Sequence, residues 1–124
     1  MTIIRSAEAP TFDLPGVRFF GLASPKRGAR ETSAWRVRLD PGTEPTIHRL
    51  TREEIFIAVS GRATVHLDGV VHELAPGDAA IVPPEIDFAL GNAGEEVFEA
   101  VVIFPVGGQA MLPGSAPFTP PWAE

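Results

Sequence analysis

The chain lacks two residue types with important chemistry, because none of its 124 residues is cysteine or tyrosine. Without cysteine there can be no disulfide, no thiolate metal site and no cysteine nucleophile. The absence of cysteine fits a reducing compartment, so we expect a cytoplasmic protein. Without tyrosine there is no phenolic hydroxyl for a proton relay, so acid–base chemistry must use histidine and carboxylates.

Basic charge and uninterrupted apolar runs are also scarce. Ten basic and sixteen acidic residues give a formal net charge of −6, which argues against nucleic acid as a partner. The N-terminus has no apolar segment typical of a signal peptide. Residues 100–123 are uncharged but contain five prolines and three glycines, so we predict no membrane span there.

Glycine and proline are abundant, with 12 and 13 copies spread along the chain, and they leave little room for long helices. The short runs between them alternate apolar and polar residues, which is typical of strands. We therefore predict an all-β sandwich, barrel or jelly roll with little or no helix. The predicted strands lie at 18–22, 34–39, 46–50, 54–59, 64–67, 70–74, 79–83, 86–91 and 97–104.

Two short segments contain further structural signals. Asp68-Gly69 between two apolar runs predicts a two-residue hairpin. Thr51 to Glu54 fits a helix capping box, with Gly61 as the helix end. That helix would be short, apolar on all sides and rich in β-branched residues, so we predict a strand there instead.

The order of residues between positions 42 and 92 resembles the two motifs of the cupin superfamily. The first motif is Gly, five residues, His-x-His, three or four residues, Glu, six residues and Gly, and the second is Gly, five residues, Pro-x-Gly, two residues, His, three residues and Asn. The matching residues in this chain are Gly42, His48, Glu54, Gly61, Gly77, Pro83 and Asn92.

The resemblance implies a cupin-type jelly-roll β-barrel of two packed antiparallel sheets. We expect one domain over residues 1–124, with the core barrel at about 18–104. Residues 1–17 would then form an N-terminal arm. Residues 105–124 would form a proline-rich tail that packs on the barrel through Phe118 and Trp122, because disordered tails rarely carry large aromatic residues.

The chain departs from the family pattern at the metal ligands. Cupin metal sites generally use three histidines and one glutamate, but here Leu50 and Phe88 replace two of the histidines, and Glu85 replaces the glycine of Pro-x-Gly. The two remaining ligands, His48 and Glu54, are too few to hold a divalent metal well. We therefore predict no cofactor. The alternative is a weakly bound divalent metal on His48 and Glu54, in a site rebuilt with Glu44, Glu85, Glu99 or Gln109.

If the family register holds, His48 and Glu54 point into the barrel, and Leu50, Phe56 and Phe88 line the pocket around them. An imidazole beside a carboxylate in such a pocket is a general base oriented by its partner. The carboxylate would raise the pKa of His48 and burial would lower it, so the direction of the shift stays open.

We predict from the resemblance a small-molecule-binding cupin that works as a metal-independent isomerase, cyclase or dehydratase. His48 would be its acid–base group, with Glu54 as orienting partner. One alternative is a non-catalytic ligand-binding cupin, because Leu50 and Phe88 make the pocket apolar. A second is a metal-dependent oxygenase or decarboxylase with a rebuilt site.

The expected partner is a small molecule in the barrel, with neither nucleic acid nor a membrane, and the resemblance implies a homodimer. The other two histidines, His66 and His72, flank the predicted hairpin and are expected at solvent or edge positions. Arg36 and Arg38 alternate with Trp35 and are expected at the surface.

Overall fold

The computed structural model describes all 124 residues, and they form antiparallel β-sheets with no α-helix. Three short 3₁₀ helices span Ser6–Glu8, Pro25–Arg27 and Pro121–Ala123. No helix is long and apolar enough to cross a membrane. The strands are β1 (Thr11–Leu14), β2 (Val17–Ala23), β3 (Thr32–Leu39), β4 (Arg49–Leu50), β5 (Glu54–Ser60), β6 (Ala63–Leu67), β7 (Val70–Leu74), β8 (Ala79–Val82), β9 (Phe88–Gly91), β10 (Phe98–Pro105) and β11 (Ala110–Met111).

The strands form two layers. The first is a six-stranded sheet in the order β1-β2-β3-β10-β5-β8, and the second combines β7-β6-β9 with the short pair β11-β4. His48 and Phe88 join the two parts of the second layer, because their backbones exchange hydrogen bonds of 2.9 and 3.0 Å. The predicted all-β jelly-roll class is therefore confirmed.

The core lies between the layers and is filled by every second residue of the central strands. In β3 the buried residues are Ser33, Trp35, Val37 and Leu39, while β10 buries Phe98, Ala100, Val102 and Phe104. The Trp35 side of β3 is thus the core side. Its opposite side carries Arg36 and Arg38 on the outside of the molecule, as predicted.

The structure confirms a predicted turn and a predicted strand, but its sheets extend beyond the expected core. Asp68 and Gly69 have φ angles of +49° and +79° at the β6–β7 hairpin, which confirms the predicted turn. The strand expected at residue 54 is β5. However, β1 and β11 extend the sheets beyond the expected core of 18–104. Their four and two residues are too short to give a periodic signal.

The C-terminal tail lies against β1, β2 and β3. The indole of Trp122 stacks on the Phe19 ring with centroids 3.5 Å apart and planes 3° apart, and it meets the Phe12 ring edge-on at 6.4 Å. Glu124 accepts a 2.8 Å bond from the Lys26 ammonium. These contacts hold the chain end on the first sheet.

Candidate functional site

Two residues that match the cupin motifs, Gly61 and Asn92, have structural roles. Gly61 has a φ of +73°, and an added Cβ would collide with the carbonyl oxygen of Val97, so only glycine fits. The buried Asn92 side chain donates to the carbonyls of Leu39 and Glu96, at 3.1 and 2.7 Å. These matches therefore report on the fold, and the chemistry must come from the remaining positions.

His48 is half-buried and has one ring nitrogen fixed. Nδ1 lies 2.9 Å from the carbonyl oxygen of Thr46. A carbonyl can only accept, so Nδ1 carries the proton and Nε2 keeps its lone pair. The imidazole also lies against the Phe88 ring, with centroids 4.1 Å apart. Burial lowers the pKa of His48 below its usual 6.5, although the bond to Thr46 opposes the shift, and the ring is neutral at pH 7.

Glu54 is a buried carboxyl group without a partner. It begins β5 beside Val82 of β8, and the residue is only 5% exposed. The carboxyl makes no hydrogen bond and no ion pair. Burial raises its pKa to about 8, so Glu54 keeps its proton at neutral pH. The protonated group can donate a hydrogen bond that an ionised carboxylate could not.

The structure does not pair His48 with Glu54. The expectation that Glu54 orients the imidazole is wrong, because the carbonyl of Thr46 on the adjoining backbone holds Nδ1 instead. His48 lies just before β4 in the second layer, whereas Glu54 begins β5 in the first. Alternation predicted the side that each residue faces but not the distance between them. Both are neutral near pH 7, and their pKa values shift in opposite directions for the same physical cause, burial.

The three expected pocket-lining residues fill the barrel rather than line an open space. Leu50, Phe56 and Phe88 are all buried, and the rings of Phe56 and Phe88 pack 5.9 Å apart. Open volume lies beside them instead, in a groove of about 410 Å³ that includes His48. We call this the β4 groove, and its lining residues are Ile47, His48, Arg49, Glu85, Asp87, Met111, Leu112, Pro113, Gly114 and Ser115.

The β4 groove contains residues that the sequence did not identify as site residues, together with Glu85, which it named only for a rebuilt metal site. Arg49 Nε donates to Asp87 Oδ1 at 2.6 Å, an ion pair that neutralises the only cation there. Glu85 has a φ of +63°, in the turn where the family motif has glycine. Residues 111–115 were missed because the tail has no periodic pattern. A glutamate directly after Pro83-Pro84 was the available signal for an unusual turn.

The four family ligand positions do not fit a metal ion. Leu50 and Phe88 have no donor atoms, and the contact that fixes the His48 ring is to the Thr46 carbonyl rather than to Glu54. No group of three or more histidine, cysteine, aspartate or glutamate side chains is placed to hold a metal. Of the residues considered for a rebuilt site, Glu85 alone lines the β4 groove. Gln109 bonds to Thr119 at 3.3 Å, and Glu99 lies opposite Arg38 on the outside of the first sheet.

The other polar residues singled out in the sequence lie elsewhere. His66 is on β6 and His72 on β7, where His72 is exposed, and neither lines the β4 groove. The Arg36 guanidinium stacks over the Phe20 ring at 4.3 Å on the outside of the first sheet. Arg38 lines a separate polar groove of about 430 Å³, in which Arg18 pairs with Asp13 at 2.7 Å.

Solved structures show the same fold at low sequence identity. The polyketide cyclase RemF from Streptomyces resistomycificus has a TM-score of 0.75 and 17% identity over 85% of this chain and 79% of its own. An RmlC-like cupin from Shewanella frigidimarina NCIMB 400 has a TM-score of 0.70 and 23% identity over 83% of this chain and 88% of its own. A cupin-superfamily sugar phosphate isomerase from Silicibacter pomeroyi DSS-3 has a TM-score of 0.63 and 21% identity over 76% of this chain and 59% of its own.

Comparison of the sequence with family models agrees with the fold. No curated protein matches the chain significantly. The family model described as the cupin domain matches residues 35–104, which is more than half of the chain. That segment runs from β3 to β10 and contains His48, Glu54 and both motifs. The chain therefore belongs to the cupin domain family.

Proposed function

We propose that this cupin binds a small molecule in the β4 groove and that His48 acts on it as a metal-independent general base. The supporting observation is the state of the His48 ring. Its Nδ1 proton is held by Thr46, its Nε2 lone pair is free, and burial lowers its pKa. An imidazole in this state accepts a proton at neutral pH. The volume of the groove, about 410 Å³, suits a metabolite-sized ligand.

The reaction class that fits this chemistry is proton transfer at carbon next to a carbonyl, as in an isomerase, a cyclase or a dehydratase. Nε2 of His48 takes the proton, the carbonyl oxygen gains the negative charge, and the proton returns to a neighbouring atom or leaves with a hydroxyl as water. A neutral carboxylic acid can donate a hydrogen bond to that oxygen. Glu54 has the required protonation state, but it does not line the β4 groove, so we assign the proton transfer to His48 alone.

The structural relatives support the choice of reaction classes. One relative is named a polyketide cyclase and another a sugar phosphate isomerase, and both share only the fold with this chain. A metal-dependent oxygenase or decarboxylase would need donors that Leu50 and Phe88 do not provide. We therefore place proton transfer without metal first.

Solvent deuterium exchange provides the test, because it detects proton abstraction even when the final product is unknown. The protein would be incubated in D₂O with EDTA and with ketose phosphates or linear polyketide mimics, and NMR would follow deuterium entry at carbon. We expect exchange with the native chain, its loss in His48→Gln, and its retention in the matched control His66→Gln. Exchange that disappears when EDTA is added, or that survives in His48→Gln, would contradict the proposal.

The second candidate is a non-catalytic ligand-binding cupin. The observation that favours it is the packed interior, where Leu50, Phe56 and Phe88 are all buried and offer no donor atom to a metal ion or a polar substrate. The same ketose phosphates and polyketide mimics distinguish the two functions. A compound that raises the melting temperature of the native chain, without deuterium exchange in any variant, would favour binding alone.

A further inference from the structure

The β4 groove is acidic although it contains an arginine. Its ionisable side chains are those of His48, Arg49, Glu85 and Asp87. His48 is neutral at pH 7, so one guanidinium and two carboxylates leave the groove with a formal charge of −1. The whole chain has a net charge of −6. The electrostatic field in the groove therefore does not favour an anionic ligand.

Arg49 is a weak binding group for an anion, because carboxylates of the chain already surround it. Its Nε donates to Asp87 Oδ1 at 2.6 Å. The pKa of the guanidinium is raised above its usual value, first by the hydrogen bond and the charge of Asp87, and further by the charges of Glu85 and Asp68, while desolvation opposes the shift. A ligand anion would have to displace Asp87 or share the guanidinium with it.

The carboxylate of Glu85 is free to bind a ligand. Glu85 is exposed on the wall of the groove, and an exposed carboxylate is ionised at neutral pH. It takes part in none of the four ion pairs of the chain. Its backbone amide donates to the carbonyl of Leu50 at 2.9 Å, which holds the residue beside β4. An ionised carboxylate only accepts hydrogen bonds, so it needs a ligand group that donates them.

The backbone of Glu85 indicates a role other than folding. Pro84 and Glu85 follow the pattern of a type II turn, in which the third residue has a positive φ and is usually glycine or asparagine. Only two residues other than glycine have a positive φ in this chain, Asp68 at +49° and Glu85 at +63°. Asp68 belongs to the Asp-Gly hairpin, where aspartate is common. Glu85 has no such conformational reason, and strain of this kind is found where a side chain has a function.

The rest of the groove offers apolar contact. Ile47 is 52% exposed and Leu112 is 43% exposed, and Met111 and Pro113 lie beside them. Exposed apolar side chains that line a concave site usually contact the body of a ligand, while a few polar groups orient it. In the β4 groove, the polar groups without a partner inside the chain are the Nε2 atom of His48 and the carboxylate of Glu85.

We propose that the β4 groove binds an apolar molecule that presents a hydrogen-bond donor, a hydroxyl or an ammonium group, to Glu85 and carries no anionic group. Glu85 is then the residue that determines specificity against phosphates and carboxylates. Ketose phosphates are accordingly poor ligands, and uncharged polyketide mimics are better ones. This proposal rests on the proposed function for the place where the ligand binds.

Benzylacetone derivatives provide the test, because they can differ in a single ring substituent: hydroxymethyl, aminomethyl, carboxymethyl or phosphonomethyl. NMR titration at low salt measures their affinities, and the amide shifts of Met111 and Leu112 report binding in the groove. The hydroxymethyl or the aminomethyl compound should bind the native chain about three- to fivefold more tightly than either anionic compound, as expected for exposed charges. The tighter of these two identifies the donor group.

Glu85→Gln should reduce this preference to less than about twofold, because glutamine keeps the size of the side chain and removes its charge. The matched control is Glu95→Gln, since Glu95 is also exposed and does not line the groove. It loses the same charge and should retain the preference of the native chain. Glu85→Gly should lose the preference and yet raise the melting temperature, because glycine adopts a positive φ without strain.

Equal affinities for the four compounds, tighter binding of an anionic compound, or no binding at all would overturn the proposal. So would an unchanged preference in Glu85→Gln, or its loss in Glu95→Gln. A lower melting temperature of Glu85→Gly would overturn it too, since Glu85 would then serve the fold.

Deuterium exchange next to the carbonyl of the same compounds tests the proposed function separately. Selective binding without exchange would support the role of Glu85 and contradict that of His48 as a base. Exchange of an anionic compound that is faster than exchange of the hydroxymethyl and aminomethyl compounds, and that is lost in His48→Gln, would support the base and overturn the proposal for Glu85.

Discussion

The imidazole of His48 lies against the ring of Phe88, with centroids 4.1 Å apart, and the two backbones exchange two hydrogen bonds. His48, which keeps a histidine of the family's metal site, is thus paired directly with Phe88, which replaces another of those histidines. Leu50, the other lost ligand, is buried two residues after His48. Two side chains, Leu50 and Phe88, therefore account for the missing metal donors, and both can be replaced by mutation.

Restoring both histidines should restore metal binding. The double variant Leu50→His, Phe88→His should bind Ni²⁺ or Zn²⁺ at least about 100-fold more tightly than the native chain, because it supplies three imidazoles at the family's ligand positions where the native chain has one. Without metal it should be less stable by about 3 kcal/mol or more, since two well-packed apolar side chains are lost. Calorimetric titration after EDTA treatment measures the affinity, and urea unfolding measures the stability.

The control for the metal experiment is Leu50→Gln, Phe88→Gln. It should lose similar stability without gaining metal affinity, and added metal should not stabilise it. Metal should stabilise the double histidine variant by linkage, because the ions bind the folded state. If the double histidine variant binds metal no better than the glutamine control, the assignment of Leu50 and Phe88 to the ligand positions is wrong.

Glu54 should make the protein less stable as the pH rises. Its pKa is about 8 in the folded state against an ordinary 4.5, so between these values the folded protein holds a proton that the unfolded chain has released. The free energy of unfolding should therefore fall by on the order of 1 kcal/mol per pH unit in that window. Glu54→Gln has a similar shape and cannot ionise, and it should lose this dependence. Urea unfolding at several pH values between about 6.5 and 8 measures the effect.

Between about pH 6.5 and 8, the pH dependence of stability reflects Glu54 and not His48. Burial lowers the pKa of His48 below 6.5, so its contribution to stability is complete above that pH and is lost as the pH falls below it. The free energy of unfolding of Glu54→Gln should therefore still fall as the pH drops below 6.5, but it should no longer fall as the pH rises toward 8. Parallel pH curves for Glu54→Gln and the native chain would show that the carboxyl is already ionised in the folded state.

Two glycines of the first motif should respond differently to alanine. Gly42 and Gly61 have φ angles of +79° and +73°, so alanine is strained at both, at about 1 kcal/mol. A Cβ at Gly42 has no atom within 4 Å, whereas one at Gly61 meets the Val97 backbone. Gly42→Ala should thus cost about 1 kcal/mol and Gly61→Ala about 3 kcal/mol or more. Urea unfolding of both variants provides the comparison, and equal costs would contradict the steric argument.

The sequence predicted the parts of this protein that depend on periodicity. Alternation of Trp35, Val37 and Leu39 indicates one buried side of a strand, and the structure buries all three. The same rule failed for β11, because a strand of two residues has no period to detect. Its place in the sheet comes from backbone bonds to Leu50 and Phe118, which only the folded chain brings together.

The candidate site was predictable in its residues but not in its geometry. Motif spacing identified His48 and Glu54, and alternation turned both toward the interior. The partner of His48 is the carbonyl of Thr46, and a backbone contact of this kind has no sequence signal. The β4 groove depends on the packing of residues 111–115 beside Arg49, which is a tertiary contact. Local sequence patterns predict which face of a strand a side chain occupies. The distance between two side chains depends on how the two layers pack.

The C-terminal tail should contribute to stability mainly through Trp122. Its indole stacks on Phe19 at 3.5 Å, and its carbonyl accepts a 3.3 Å bond from Arg27 Nη2. Trp122→Ala keeps the backbone bond but removes the stacked ring, and should lower the free energy of unfolding by about 2 to 4 kcal/mol. The control is Phe118→Ala, because Phe118 is the tail's exposed aromatic and joins β11 through its backbone. This variant should cost less than about 1 kcal/mol. Urea unfolding followed by far-UV circular dichroism measures both, and similar losses would show that Trp122 has no special role in holding the tail.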